Sequence, residues 1–294
     1  MSRLEWPDER ARRDEIPAFA QYGSNVCLDF HGDPARAGLV VFSDGNHHMA
    51  LGESLERFLA ANPAVADVFY ATTPPRVIVE ALRAGRLRVG NLEISVRPHL
   101  FISPPQVLEP LAEQGLLNSP VPLARARGNV LLVKAGNPKR VRGVHDLARG
   151  EVTLFISNPQ TEAASYALYA ETLRRLALRA GVALPFLAGD TRGVVYGEAI
   201  HHREAPQAVV DGRADAAIVF HHLALRYLRV FPGYFETVPL APEGDRDNLS
   251  GATHAALVGE GGRWGRKARD FLTGSEGAAI YERHGLEPFA TTRK

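Results

Sequence analysis

Six of the chain's eleven histidines occur as three adjacent pairs: His47-His48, His201-His202 and His221-His222. Imidazole offers three chemistries at such positions. It donates N–H bonds to an oxyanion, as imidazolium when the pH falls. As the neutral base it ligates Zn, Ni or Cu. Placed against a substrate it acts as a general base. Any single pair reads equally well as polar surface at a helix start or strand end, since histidine is common at intermediate burial. No carboxylate or cysteine accompanies the pairs at a metal spacing such as H-E-x-x-H. Glu204 follows His201-His202 closely, but at a helix-capping or solvent-facing position. No nucleophile–base pair stands out, so the catalytic reading ranks last and the chain is read as a non-enzyme.

Bulk properties narrow the field. The 294 residues suffice for one large domain or two medium ones, and the net charge is +1 with 34 basic and 33 acidic side chains. This balance gives no footing for nucleic acid or a membrane surface. A single cysteine, Cys27, excludes an internal disulfide and a cysteine-based zinc site. No apolar run approaches the roughly 20 residues of a spanning helix. The opening "MSRLEWPDERARRDEIPAF" has charges but no apolar h-region behind them. The expected placement is therefore cytoplasmic, or periplasmic if an export segment is missing from this chain. Residues 1–37 read as a polar N-terminal extension.

The histidine pairs need elements to hold them. From residue 38 onward short apolar runs alternate with amphipathic segments. "GLVVF" (38–42), "VADVFYA" (65–71), "HLFIS" (99–103), "NVLLVKAG" (129–136), "VTLFISN" (152–158), "DAAIVF" (215–220), "FETVPL" (235–240) and "THAALVG" (253–259) read as strands. Leu51, Leu55, Phe58 and Leu59 mark a helix after the first strand. "PPRVIVEALRAG" (74–85) starts with proline and stops at Gly85, and a long helix over 162–181 stops at Gly181. A helix over about 105–114 and a final one over about 263–281 complete the pattern. This alternation predicts an α/β fold with parallel sheets, ligands sitting beyond the carboxyl ends of the strands. That points at the loops after Phe42, Tyr70, Ile156 and Phe220.

Seven segments in order carry a resemblance. They are "LVVFSDGN", "FYATTPPRVIVEAL", "HLFISPPQVLEPLAEQGLL", "NVLLVKAGNP", "NPQTEAASYALYAETL", "AVVDGRADAAIVF" and "ARDFLTGSEGAAIYERHGLEP". Together the chain resembles the type 2 periplasmic solute-binding proteins of ABC importers, molybdate- and tungstate-binding-like branch, over about residues 38–290. The resemblance implies a two-lobed periplasmic-binding-protein-like (type 2) fold, with a ligand cleft between lobes joined by crossing strands. Lobe one is expected at 38–128 plus 236–294 and lobe two at 129–235.

The family's ligand positions fall on Asn46 and the backbone N–H of His47, on Thr72 and Thr73, on Ala164 and Ser165, on His202, and on Phe220 with His221. Serine hydroxyls and helix N-terminal amides in that family hold a tetrahedral oxyanion by neutral donation. Asn46, Thr72 and Thr73 keep donors; Phe220 has no hydroxyl, and His99 replaces an aspartate. The resemblance implies a binding protein for a molybdate- or tungstate-like oxyanion, monomeric, with no further cofactor, serving transport or sensing and delivering to an ABC permease if exported. The alternative is a Zn, Ni or Cu ion held by His47, His48, His202 and His221.

Overall fold

Five residues without a polar face, Leu39–Ser43, form strand β2 and are all buried. Leu39 and Val41 join one core with Leu51, Leu55 and Phe58, while Val40 and Phe42 join another with Ile78 and Leu108. Helices therefore cover both faces of the sheet, as a run without alternation requires. The structure, a computed structural model, describes residues 29–89, 92–198 and 200–289.

The first lobe is built on a seven-stranded sheet ordered β1-β3-β2-β6-β13-β7-β14. Its strands are β1 (Phe30–His31), β2, β3 (Val68–Thr72), β6 (Leu100–Ser103), β7 (Leu117–Ala126), β13 (Ala252–Val258) and β14 (Leu286–Pro288). A hairpin of β4 (Leu87–Val89) and β5 (Leu92–Ile94) stands beside it. Helices α1 (His48–Ala61), α2 (Pro75–Ala84), α3 (Pro105–Glu113), α8 (Gly262–Thr273) and α9 (Ser275–Arg283) belong to this lobe. The second lobe carries a five-stranded sheet ordered β10-β9-β11-β8-β12. These are β8 (Asn129–Lys134), β9 (Leu154–Ile156), β10 (Val194–Tyr196), β11 (Ala216–Phe220) and β12 (Phe235–Pro239). Its helices are α4 (Val144–Leu147), α5 (Ala163–Ala180), α6 (His201–Val210) and α7 (His221–Val230).

The helix boundaries follow from the chain's punctuation. Pro75 and Pro105 occupy first-turn positions where no N–H is needed, and Gly85 and Gly181 end α2 and α5 at φ 66° and 67°. Three features differ from the sequence expectation. β2, β3 and β6 run parallel, but β13, β7 and β14 pair antiparallel, as do β8 and β12 with their neighbours, so both sheets are mixed. β12 hydrogen-bonds to β8 and lies in the second sheet, which moves the division between lobes from residue 235 to beyond Pro239. β1 pairs with β3, so part of the expected 1–37 extension is a strand of lobe one; residues 1–28 lie outside the described residues.

The two connections between lobes meet at Asn129. Its backbone N–H donates to Oδ1 of Asn248 at 2.8 Å, and its Nδ2 donates to Thr172 Oγ1 and the Leu249 carbonyl. Asn248 Nδ2 returns a bond to the Asn129 carbonyl at 3.0 Å. Gly128, at φ +90°, fits there because a Cβ would lie 2.7 Å from Asn248 Nδ2.

Candidate ligand-binding site

Each histidine pair opens a helix, where successive side chains diverge by about 100°. The two imidazoles of a pair therefore face different surroundings. His47 turns inward and is 1% exposed. Ser43 Oγ donates to the Asp44 carbonyl, so it accepts from His47 Nε2 at 2.9 Å. That leaves Nδ1 bare to accept the Tyr281 hydroxyl at 2.8 Å. Burial holds its pKa down at about 3, with a smaller push from His222. With both ring nitrogens bonded inside lobe one, the His47 imidazole has no nitrogen left for a metal ion, which corrects that alternative; the oxyanion role expected of this residue was its backbone N–H. His201 is likewise core: its ring stacks on Phe155 at 5.5 Å and packs on Tyr169 at 5.2 Å. His48 and His202 are the outward members, and their ring centroids stand 6.0 Å apart across the lobes.

Around these two lies a cavity of ≈ 580 Å³. Lobe one lines it with Asp29, His31, His48 and Thr72. α6 presents His202, Arg203, Pro206, Gln207 and Val210, which share one helical face. α7 presents Arg226, Tyr227 and Val230, and Phe231, Tyr234 and Phe235 continue the wall. The lobes approach closely here. A Cβ on Gly45 would sit 3.2 Å from His202 Cε1 and 2.8 Å from the Thr72 carbonyl oxygen, so glycine permits the contact.

α6 holds Pro206 one turn after His202, and proline lacks the N–H that would bond the His202 carbonyl. The Tyr227 hydroxyl from α7 donates to that carbonyl instead. The wall carrying His202 is thus tied to the wall carrying Arg226 by one buried phenol.

The electrostatics are cationic. Arg203 pairs with Asp29 across the lobes. Burial pushes the Asp29 carboxyl up to about 7 against the pull of the Arg203 charge. Arg226 faces the cavity beside the Tyr227 phenol, and burial lowers its pKa. That phenol stays protonated because burial raises its pKa. No ion pair with a carboxylate joins Arg226 among the described residues. The histidines add no charge: burial, then Arg203, holds His202 at about 3, and burial, then Arg226, holds His48 well below its ordinary value.

The remaining expected residues distribute unevenly. Thr72 lines the cavity and its Oγ1 bonds His31 Nε2 at 3.2 Å. Thr73 is buried with its hydroxyl unpartnered. The Asn46 N–H is already taken by Asp44 Oδ1 at 3.0 Å, while its carbonyl accepts from His222 Nε2 at 2.7 Å. Ala164 is exposed and Ser165 half-buried in the first turn of α5, and neither lines the cavity. Phe220 is buried against Tyr169 and His222. His221 bonds the Gly128 carbonyl through its backbone and lies at the connection between lobes, away from the cavity. Among the described residues no three His, Cys, Asp or Glu side chains are placed to hold a metal ion. The four histidines proposed for that role are thus split between core, cavity and connection. Sequence reading missed Asp29, His31, Arg203 and Arg226. The available signal was the spacing His202–Pro206–Val210 with Arg203 and Gln207 beside it, one face of the helix that begins at His201.

The sequence model of bacterial extracellular solute-binding proteins matches residues 39–287. No curated protein matches the chain. Among solved structures, the sulfate-binding protein SubI from Mycobacterium tuberculosis H37Rv superposes with TM-score 0.65 at 16% identity, covering 85% of this chain and 86% of that one. The substrate-binding domain of a molybdenum ABC transporter from Clostridium difficile gives 0.62 at 17%, covering 86% and 99%. Iron-bound HitA from Pseudomonas aeruginosa gives 0.60 at 13%, covering 87% of each. The cytoplasmic placement expected from the first residues is overturned by this match, whose family is extracellular. No described helix is long and apolar enough to cross a membrane.

Proposed function

The chain belongs to the bacterial extracellular solute-binding proteins, and from that premise we propose that it traps an anion between its lobes and delivers it to an ABC permease. Similar folds serve a molybdenum transporter, a sulfate binder and an iron binder, so the sign of the ligand has to come from the site. The observation that carries the reading is Arg226: a cation facing the interlobe cavity with no carboxylate partner among the described residues. A guanidinium in that position gains most from an acceptor that arrives with the ligand. Thr72 Oγ1 and the neutral imidazole of His202 add uncharged donors on the same cavity, whereas His48 spends its one N–H, at Nδ1, on the Gly45 carbonyl at 2.7 Å.

A tetrahedral oxyanion of the molybdate or tungstate type falls within this reading, with one change from the family pattern. Asp44 sits in the first loop, accepting from the Asn46 N–H at 3.0 Å, one residue before the His47 N–H that the resemblance assigned to the ligand. A dianion placed beside that buried carboxylate would be repelled, so the anion belongs on the Arg226 side. The test is a thermal-shift panel of molybdate, tungstate, sulfate and phosphate against Zn, Ni and Cu on metal-stripped protein. Stabilisation by at least one anion, lost in Arg226→Gln without a change in ligand-free melting temperature, is the expected result. Stabilisation by a metal ion alone overturns it.

A further inference from the structure

Four large hydrophobic side chains are conspicuously exposed among the described residues, and three of them, Val230, Phe231 and Tyr234, border the cavity; they are 50%, 45% and 57% exposed. Val210 and Phe235 continue the same wall inward. Isolated exposed apolar residues need no explanation, but a contiguous set at the rim of a cavity does. Size makes the same point. At ≈ 580 Å³ the cavity holds on the order of twenty water volumes, whereas a tetrahedral oxyanion fills about two or three. An inorganic ion would leave most of this space, and all of the apolar wall, in contact with water. A cavity of several hundred Å³ with an apolar lining and a few convergent polar groups suits an organic molecule.

We infer that the solute is an organic anion, its carboxylate or phosphate head on Arg226 and His202 and its apolar body against Val210, Val230, Phe231, Tyr234 and Phe235. This rests on the anion reading and narrows it. Asymmetry of the cavity supports the orientation. The cationic and hydrogen-bonding groups come from β1, α1, α6 and the middle of α7, at Arg226 and Tyr227, while the apolar side chains begin at the end of α7 with Val230 and continue through Phe231 and Tyr234 to Phe235 in β12. An amphipathic solute satisfies both ends at once, and contact with its body covers side chains that otherwise face solvent.

The experiment is calorimetric titration with inorganic phosphate, sulfate, phenyl phosphate, benzoate and hexanoate, on the full chain and on the Phe231→Ala/Tyr234→Ala double variant. The expected result is that at least one organic anion binds tenfold or more tightly than phosphate and sulfate. The ratio of organic to inorganic affinity should then collapse about tenfold in the double variant, as expected for roughly 60 Å² of lost apolar contact. Circular dichroism confirms that the variant is folded. If an inorganic anion binds as tightly as the organic ones, or the ratio is unmoved by the variant, the organic assignment is wrong while the anion reading stands. If no anion binds and Arg226→Gln changes nothing, the anion reading itself falls.

Discussion

The Nε2 atom of His222 in lobe two donates to the backbone carbonyl of Asn46 in lobe one at 2.7 Å. A carbonyl only accepts, so Nε2 carries the proton, and the buried Nδ1 is left without a partner. Parting of the lobes at this point would break the bond. A neutral hydrogen bond of this kind is worth about 1 kcal/mol, or roughly fivefold in the ratio of closed to open forms. His222→Phe keeps the stack on Phe220, whose rings lie 5.5 Å apart, and removes the bond. Small-angle scattering should show a larger ligand-free radius, and anion affinity should fall several-fold. Unchanged scattering and affinity would mean that the bond does not bias closure.

His201 gives a stability prediction whose sign can be worked out. Its Nε2 is buried without a partner, and burial depresses its pKa to about 3. The unfolded chain, at the ordinary 6.5, binds a proton that the folded one does not. Its depressed folded value therefore makes stability fall as pH drops from 6.5 towards 3. His201→Phe preserves the stack on Phe155 and removes this penalty. The variant should be more stable than the parent by about 2 kcal/mol at pH 5, and the advantage should be small at pH 8. Urea unfolding at the two pH values reads it directly. An equal difference at both would show that protonation is not involved.

How much of this was legible in the sequence depends on which physical signal was at work. The central strands were, because runs such as Leu39–Ser43 are too apolar for any other place. β7 was not: Pro120 and Pro122 argue against a strand. The structure accommodates them through register irregularities where β13 pairs with β7, between Thr253 and His254 and again between Ala255 and Leu257. The final helix is two, broken at Gly274, where a Cβ would lie 2.9 Å from the Asp270 carbonyl oxygen. For the site, the loops named after Phe42 and Tyr70 lead to residues of the cavity, the loop after Ile156 does not, and side-chain directions were not legible. His48, Thr72 and His202 line the cavity while His47 and His201 are core, since neighbours on a helix diverge. Arg203 and Arg226 became visible only once α6 and α7 were packed face to face.

Asp29 makes anion affinity pH-dependent. With its carboxyl held near 7 by burial, Asp29 is mostly ionised at pH 8 and neutralises Arg203. At pH 6 it is mostly protonated and the cavity carries one more net positive charge. His48 and His202 face the same space but stay neutral across this range because burial holds their values far down, and burial lowers that of His31 as well. Anion affinity should therefore rise several-fold from pH 8 to pH 6. Asp29→Asn should hold it at the acidic level throughout. A pH dependence that persists in Asp29→Asn would assign the proton elsewhere.

The Tyr227–His202 bond can be tested against the proline that makes it necessary. Tyr227→Phe leaves the His202 carbonyl with neither a phenol nor a helical N–H, because Pro206 supplies none. Tyr227 is 4% exposed, and leaving a buried carbonyl unsatisfied costs about 1–3 kcal/mol. Pro206→Ala restores an N–H in position to bond that carbonyl. In the Pro206→Ala background the cost of Tyr227→Phe should therefore shrink by at least about 1 kcal/mol, a coupling that unfolding of the four chains of a double-mutant cycle measures. The single Tyr227→Phe variant should also lose anion affinity, since the phenol joins the helix bearing His202 to the helix bearing Arg226. Additive costs across the cycle would mean that α6 satisfies the carbonyl in some other way, and the phenol would then be a packing group only.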